Sequence, residues 1–171
     1  SIEADSQRAT VLVIEDNYEM RQYIRSCLSD SFDCILAVDG EQGIKLARET
    51  LPDLIISDVM MPKKDGFAVT KTLKADLTTN HIPIILLTAH GDSKSRLKGW
   101  TEKADEYLEK PFNTTELLTR IENLLAIRGL LRQRYQREFA AGVMTVDHAA
   151  VDHQSVDSSE AQAAVVDILH Q

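Results

Sequence analysis

The sequence predicts an α/β fold: a five-stranded parallel sheet in a doubly wound (βα)5 sandwich, with an extended C-terminal helix. Three observations carry this. Short apolar, β-branched runs alternate with segments of helical spacing five times between residues 10 and 131. The runs are apolar on both faces, as strands covered from both sides require. A helical segment separates each run from the next, and right-handed crossovers then build a parallel sheet with helices on both sides.

In order, TVLVI (10–14) is the first strand, and YEMRQYIRSCL (18–28) is a helix with Met20, Tyr23, Ile24 and Leu28 on one face. FDCILAV (32–38) is strand-like, and GEQGIKLARET (40–50) is a helix with Ile44 and Ala47 inward. DLIIS (53–57) and FAVTKTLKAD (67–76) form the third pair. IPIILLT (82–88) is the strongest strand signal, followed by a weaker helix, SKSRLKGWTE (93–102), that carries Trp100. EYLEK (106–110) is a short strand. TTELLTRIENLLAIRGLL (114–131) is a long amphipathic helix. Asn113 stands as its N-cap with Glu116 as capping-box partner, and Leu117, Leu118, Ile121, Leu124 and Leu125 form its core face.

The chain has 171 residues, about one domain with an appendage. The polar, acidic start SIEADSQRAT has neither the basic nor the apolar region of a signal peptide, and residues 1–9 are expected to be a disordered segment. No apolar run is long enough for a membrane span. Cys27 and Cys34 match no metal spacing or disulfide framework and read as reduced thiols, so the expected location is cytoplasmic, with no membrane contact by this segment. The net charge of −8 argues against nucleic-acid binding by this segment.

Beyond residue 127 the helical spacing continues through Leu131, Tyr135 and Phe139, with Arg128, Arg132, Arg134 and Arg137 between. Residues 128–141 are expected to be a helical connector, its arginines one solvated face. The alternative is a dimerising helix over 114–139, whose seam Arg128 interrupts. Residues 142–171 contain no Lys or Arg and five acids, repeat VDHAA, VDHQS and VDSSE loosely, and read as an acidic linker or the start of a truncated output region.

In a doubly wound fold, ligands sit outside the carboxyl ends of the strands. Those ends deliver Glu15 and Asp16, then Asp58, Thr88 and Lys110, the last followed by Pro111. Carboxylates held together repel unless a cation joins them, and an all-oxygen set suits Mg²⁺. A lysine suits phosphate or carboxylate, and a threonine hydroxyl donates to a phosphoryl oxygen. Together they describe a site that places a phosphoryl group on Asp58, the nucleophile. Each residue alone has a plainer reading. Asp58 could be a loop acid or helix cap, Glu15 and Asp16 could cap the helix near Tyr18, and Thr88 could simply end a strand. His81 and His90 read as solvated loop residues.

VLVIEDN, PDLIISDVMMPKKDG, IPIILLTA and ADEYLEKPF, in this order and spacing, resemble the response-regulator receiver domain of two-component signalling over residues 10–127. The resemblance implies a flavodoxin-like fold and Asp58 as acceptor of a phosphoryl group from a histidine kinase or phosphotransfer domain. It implies Mg²⁺ held by Glu15, Asp16, Asp58 and the backbone carbonyl of Met60, with Thr88 and Lys110 on the phosphoryl group. Tyr107 would report the switch with Thr88, the Lys110–Pro111 peptide would be cis, and Met60 and His90 would tune the phosphoryl lifetime. Such a domain is no enzyme beyond its own aspartyl phosphorylation and dephosphorylation. The connector resembles one that leads to an AraC-type DNA-binding domain in hybrid proteins, so DNA would be reached through a transcriptional output domain outside this chain. A competing resemblance is to haloacid-dehalogenase-type phosphatases, which also use a strand-end Asp, Mg²⁺, Thr and Lys. They need a second Asp two residues on, where this chain has Met60. A third reading is a phosphate-independent interaction module, against which the intact acid, Thr and Lys set speaks.

Overall fold

A computed structural model of the chain describes residues 8–91 and 104–149. Five strands form one parallel sheet: β1 (Thr10–Ile14), β2 (Asp33–Ala37), β3 (Leu54–Asp58), β4 (Ile84–Thr88) and β5 (Glu106–Glu109). Their order is β2-β1-β3-β4-β5. The described helices are α1 (Tyr18–Leu28), α2 (Gly40–Thr50), α3 (Gly66–Ala75) and α4 (Thr114–Ala149). The helix expected over 93–102, with Trp100, lies outside the described residues.

The strands read as continuous apolar runs because successive side chains enter two different cores. Val11, Val13, Leu54, Ile56, Ile85 and Leu87 pack with Ile24 and Leu28 of α1 and Leu117 and Ile121 of α4. The alternate residues Leu12, Ile14, Ile55, Ile84 and Leu86 pack with Ile44 and Ala47 of α2 and Phe67, Val69 and Leu73 of α3. Both faces of β3 and β4 are sealed, and each fully buried aliphatic side chain contributes about 1.5–3 kcal/mol relative to exposure. Side-chain caps start every described helix. Asn17, Asp39 and Asp65 accept from the backbone N–H three residues on, and Asn113 does the same for Glu116.

The strand order reverses direction between β1 and β3, which opens a crevice at their carboxyl ends. At the opposite edge the chain is tied down by hydrogen bonds. Asp53 Oδ2 accepts from the Thr10 N–H at 2.8 Å, and the Asp53 carbonyl accepts from Arg128 Nη1 at 2.8 Å. Arg128 is therefore half-buried and anchored rather than part of a solvated face. Lys74 closes the α3–β4 connection: its ammonium donates to the carbonyls of Asn80 and Ile82 and pairs with Asp105 at 2.8 Å.

Two expected boundaries shift. Residues 8 and 9 belong to the packed body, not to a disordered segment: Arg8 donates to the Ser29 carbonyl, and Ala9 packs on the core and accepts from the Asp33 N–H. The acidic tail expected from Gly142 begins inside α4, which runs to Ala149. A single glycine costs a helix only about 1 kcal/mol and does not by itself end one. Residues 1–7 and 150–171 lie outside the described residues. The first compact unit ends at Arg128. In the second, Arg134 and Glu138 form an i,i+4 pair at 3.2 Å and Phe139 is exposed.

Removing the Lys74 ammonium leaves the Asn80 and Ile82 carbonyls without this donor, and Asp105, still bonded by the Ile84 N–H, without its ion pair. Lys74→Ala is expected to lower unfolding free energy by about 2 kcal/mol in urea titrations; a loss below about 0.5 kcal/mol would mean the three contacts are dispensable.

Candidate functional site

Register brings the strand ends level. Ile14 lies beside Ser57, and Asp58 beside Leu87. Past the last paired residues, the Glu15 N–H donates to Ala37, Val59 to Leu87, and Lys110 to Thr88. Glu15, Asp16, Asp58, Thr88 and Lys110 thus reach one edge as the sheet geometry dictates.

Carboxylate oxygens of Glu15, Asp16 and Asp58 all lie within 4.8 Å of one another. Glu15 and Asp58 are buried, and Asp16 is exposed. Lys110 Nζ stands 3.1 Å from Asp58 Oδ2 and 3.7 Å from Glu15 Oε2. A cleft of about 590 Å³, open to solvent, is lined by these four residues with Asn17, Glu19, Met20 and Tyr23. Thr88 is buried at the end of β4. The Met60 N–H lies 3.4 Å from Asp58 Oδ1, while its side chain is exposed.

The electrostatics are those of an acidic cluster short of cations. Burial, then the Asp58 charge, raises the Glu15 carboxyl from 4.5 to about 7. Its Oε1 accepts from the Asn17 N–H at 3.1 Å, but Oε2 is buried with no hydrogen-bond partner among the described residues. A buried, unsatisfied carboxylate oxygen beside two more carboxylates is what an oxygen-ligated divalent cation satisfies, so the donor set fits such an ion.

Gly66 explains the turn after Asp58. A β-carbon on it would lie 2.3 Å from the Asp58 carbonyl oxygen, so any side chain would push on the acid's backbone. Lys63 sits in the left-handed region at φ 68°, with its ammonium toward Asp39 and Glu41. Beyond β5, the Lys110–Pro111 peptide is cis.

Other expected residues fall nearby. Tyr107, half-buried, packs on the α2–α3 side of the sheet. His90 is exposed, and its Nδ1 pairs with Glu109. Asp16 and Glu15 do not cap α1; Asn17 does. Tyr23, expected inward, instead rims the cleft, its hydroxyl donating to the Phe112 carbonyl at 2.9 Å and its ring 5.8 Å from Phe112. Neither it nor Arg21, which donates to the carbonyls of Glu15 and Asp16, stood out in the sequence. The available signal was a cation one helical turn below an acidic loop.

The profile of the response regulator receiver domain matches residues 11–122. The chain belongs to this family. As a receiver, it is 33% identical over 150 residues to a histidine kinase of Formosa agariphila, an alignment covering 88% of this chain and 11% of the kinase. It is 37% identical over 138 residues to the transcriptional regulatory protein CpxR of Escherichia coli, covering 80% of this chain and 58% of that protein. The chain therefore spans about a tenth of the first relative and over half of the second. Among solved structures, a receiver domain protein of Clostridium thermocellum matches with TM-score 0.66 and 32% identity over 70% or more of this chain (72%) and 98% of its own. The receiver domain of a Pseudomonas aeruginosa sensor histidine kinase, solved with a magnesium ion coordinated in its active-site cleft, matches with TM-score 0.65 and 28% identity, over 70% of this chain and 98% of its own. The fold is thus the flavodoxin-like sandwich of receivers, and the function that of a two-component receiver. Among the described residues, no helix is long and apolar enough to cross a membrane.

The raised Glu15 carboxyl has a pH consequence for the metal-free protein. Between about pH 4.5 and 7 the unfolded chain releases a proton that the folded chain retains, so stability falls as pH rises through that window. Glu15→Gln removes this penalty. With chelator present it is expected to melt above the parent at about pH 8 and close to it at about pH 5; an equal difference at both would contradict the burial account.

Proposed function

We propose that Asp58 is the phosphoacceptor of this receiver and that the cleft holds Mg²⁺ during transfer. The observation that carries this reading is the convergence of three carboxylates, with one buried oxygen unsatisfied, beside the Lys110 ammonium. An Asp58 oxygen attacks the phosphorus of a phosphohistidine on a histidine kinase or phosphotransfer domain. The oxygen–phosphorus bond forms as the phosphorus–nitrogen bond breaks, and the imidazole leaves. The Lys110 ammonium, already beside Asp58, pairs with the phosphoryl oxygens as the carboxylate charge is consumed. The Thr88 hydroxyl, at the end of the adjacent strand, donates to a phosphoryl oxygen. Glu15, Asp16, Asp58 and the Met60 carbonyl would hold Mg²⁺, which when bound would supply positive charge beside the phosphoryl group.

The same groups support only self-phosphorylation and self-hydrolysis, not turnover of a free substrate. Met60 stands where a phosphatase would need a second acid, and its side chain offers no proton. Together with His90, whose imidazole is paired with Glu109, Met60 governs water's approach to the acyl phosphate. Thr88 and half-buried Tyr107 relay the phosphorylated state toward the β4–β5 side of the domain. The output is a domain outside these residues, transcriptional in our reading, with DNA bound there and not by this acidic segment. A homodimer through residues 114–139 would use the part of α4 past Leu117 and Ile121, which the core buries, where Phe139 is exposed. The receiver works in the cytoplasm, where its thiols stay reduced.

Acetyl phosphate with Mg²⁺ is expected to add one phosphoryl group to the native chain, seen by intact mass, and Asp58→Asn to abolish the addition. Undiminished labelling of that variant would refute the assignment. Sedimentation with and without a beryllofluoride mimic tests the dimer; a monomeric mass at high concentration in both states would count against it.

A further inference from the structure

Arg21 lies one turn into α1, directly below the loop that carries the acidic pair. Its Nη1 donates to the Glu15 carbonyl at 2.8 Å and to the Asp16 carbonyl at 3.3 Å. The guanidinium carbon also sits 5.6 Å from the centre of the Tyr18 ring, within cation–π range. The Asn17 N–H holds Glu15 Oε1 from the same helix start. Glu15 is thereby gripped at its carbonyl and at one carboxylate oxygen, and Oε2 alone is left for an incoming ion.

We propose that Arg21 is a positioning residue for the divalent cation: it clamps the β1–α1 loop so that the Glu15 and Asp16 carboxylates converge on Asp58 before the ion arrives. This rests on the reading of the cleft as a Mg²⁺ site. The reason for a clamp is electrostatic. Three carboxylates this close repel one another, and a free loop would relax by moving Asp16, the exposed member, away. An ion would then have to draw the loop back, and its affinity would fall by that cost. Arg21 pulls from behind, on the carbonyls, while Lys110 pairs with the carboxylates from the front. The two cations divide the work. Lys110 sits among the oxygens a phosphoryl group uses, whereas Arg21 keeps its bonds through the whole cycle. The residue type also follows: one terminal nitrogen serves both carbonyls while the flat, delocalised guanidinium lies over the Tyr18 ring, and a lysine can supply the first contact but not the second in full.

The test is calorimetric titration of the chelator-treated chain with MgCl₂. Arg21→Met, which keeps the apolar stem, is expected to raise the Mg²⁺ Kd on the order of tenfold, and Arg21→Lys to raise it less. The acetyl phosphate labelling rate at saturating Mg²⁺ should return to the parent value in both variants, because only the ion's binding has changed. Metal-free melting temperatures should stay within about 3 °C of the parent. Mg²⁺ affinity within about twofold of the parent in both variants would overturn the proposal, as would an affinity loss that merely tracks a lowered metal-free melting temperature. Should Arg21→Met fail to fold, Arg21→Lys decides alone. Absence of Mg²⁺ binding by the parent chain would overturn the Mg²⁺ reading itself, whereas normal parent binding with unaffected variants removes only the role of Arg21.

Discussion

Three carboxylates within 4.8 Å of one another are the constraint on which the rest of this receiver depends. Left free, they would separate or take up protons. What brings them together is the sheet: Glu15 and Asp16 come directly after β1 and Asp58 ends β3, neighbouring strands whose side chains are buried on both faces. The cluster is costly, as the raised Glu15 carboxyl and its unsatisfied oxygen record. The two apolar layers, each built from alternate residues of the same strands, supply the stability that tolerates it.

The loops translate that rigid frame into a site. Asn17 and Arg21 hold the acidic loop from α1, and Tyr23 on the same helix reaches across to the carbonyl of Phe112, two residues past Lys110. One helix thus touches both the acidic pair and the chain that delivers the lysine. On the other side, Gly66 lets α3 start against the Asp58 backbone, where a β-carbon would collide. At the far edge of the sheet, Arg128 and Thr10 meet on Asp53, so the base of the long C-terminal helix is bonded to the strands.

A receiver is a module, and its relatives show how differently it is used. Similar segments occupy about a tenth of a Formosa histidine kinase and over half of an Escherichia coli transcriptional regulator. The phosphoryl chemistry we propose is local to the strand ends and is compatible with either context, because a fold carries its site but does not dictate what the site controls.

The sequence by itself determined the fold class and most of the site. Strands apolar on both faces, as β1, β3 and β4 are, belong in a covered parallel sheet, and such a sheet aligns its carboxyl ends, so Glu15, Asp16, Asp58, Thr88 and Lys110 were legible together from their places at the ends of four strands. Capping residues were readable for the same local reason: Asn113 precedes its helix and bonds within it. Tertiary structure alone decided the supporting contacts. Arg21 is one of several arginines until the turn of α1 puts it below two carbonyls, and Arg128 looked solvated until Asp53, 75 residues earlier, met it. Tyr23 carried the helical spacing of a core residue, yet its hydroxyl is satisfied by a carbonyl 89 residues away at the rim of the cleft. The Arg128 and Tyr23 bonds join segments far apart in the chain, and no local pattern encodes a partner that only folding brings within 3 Å.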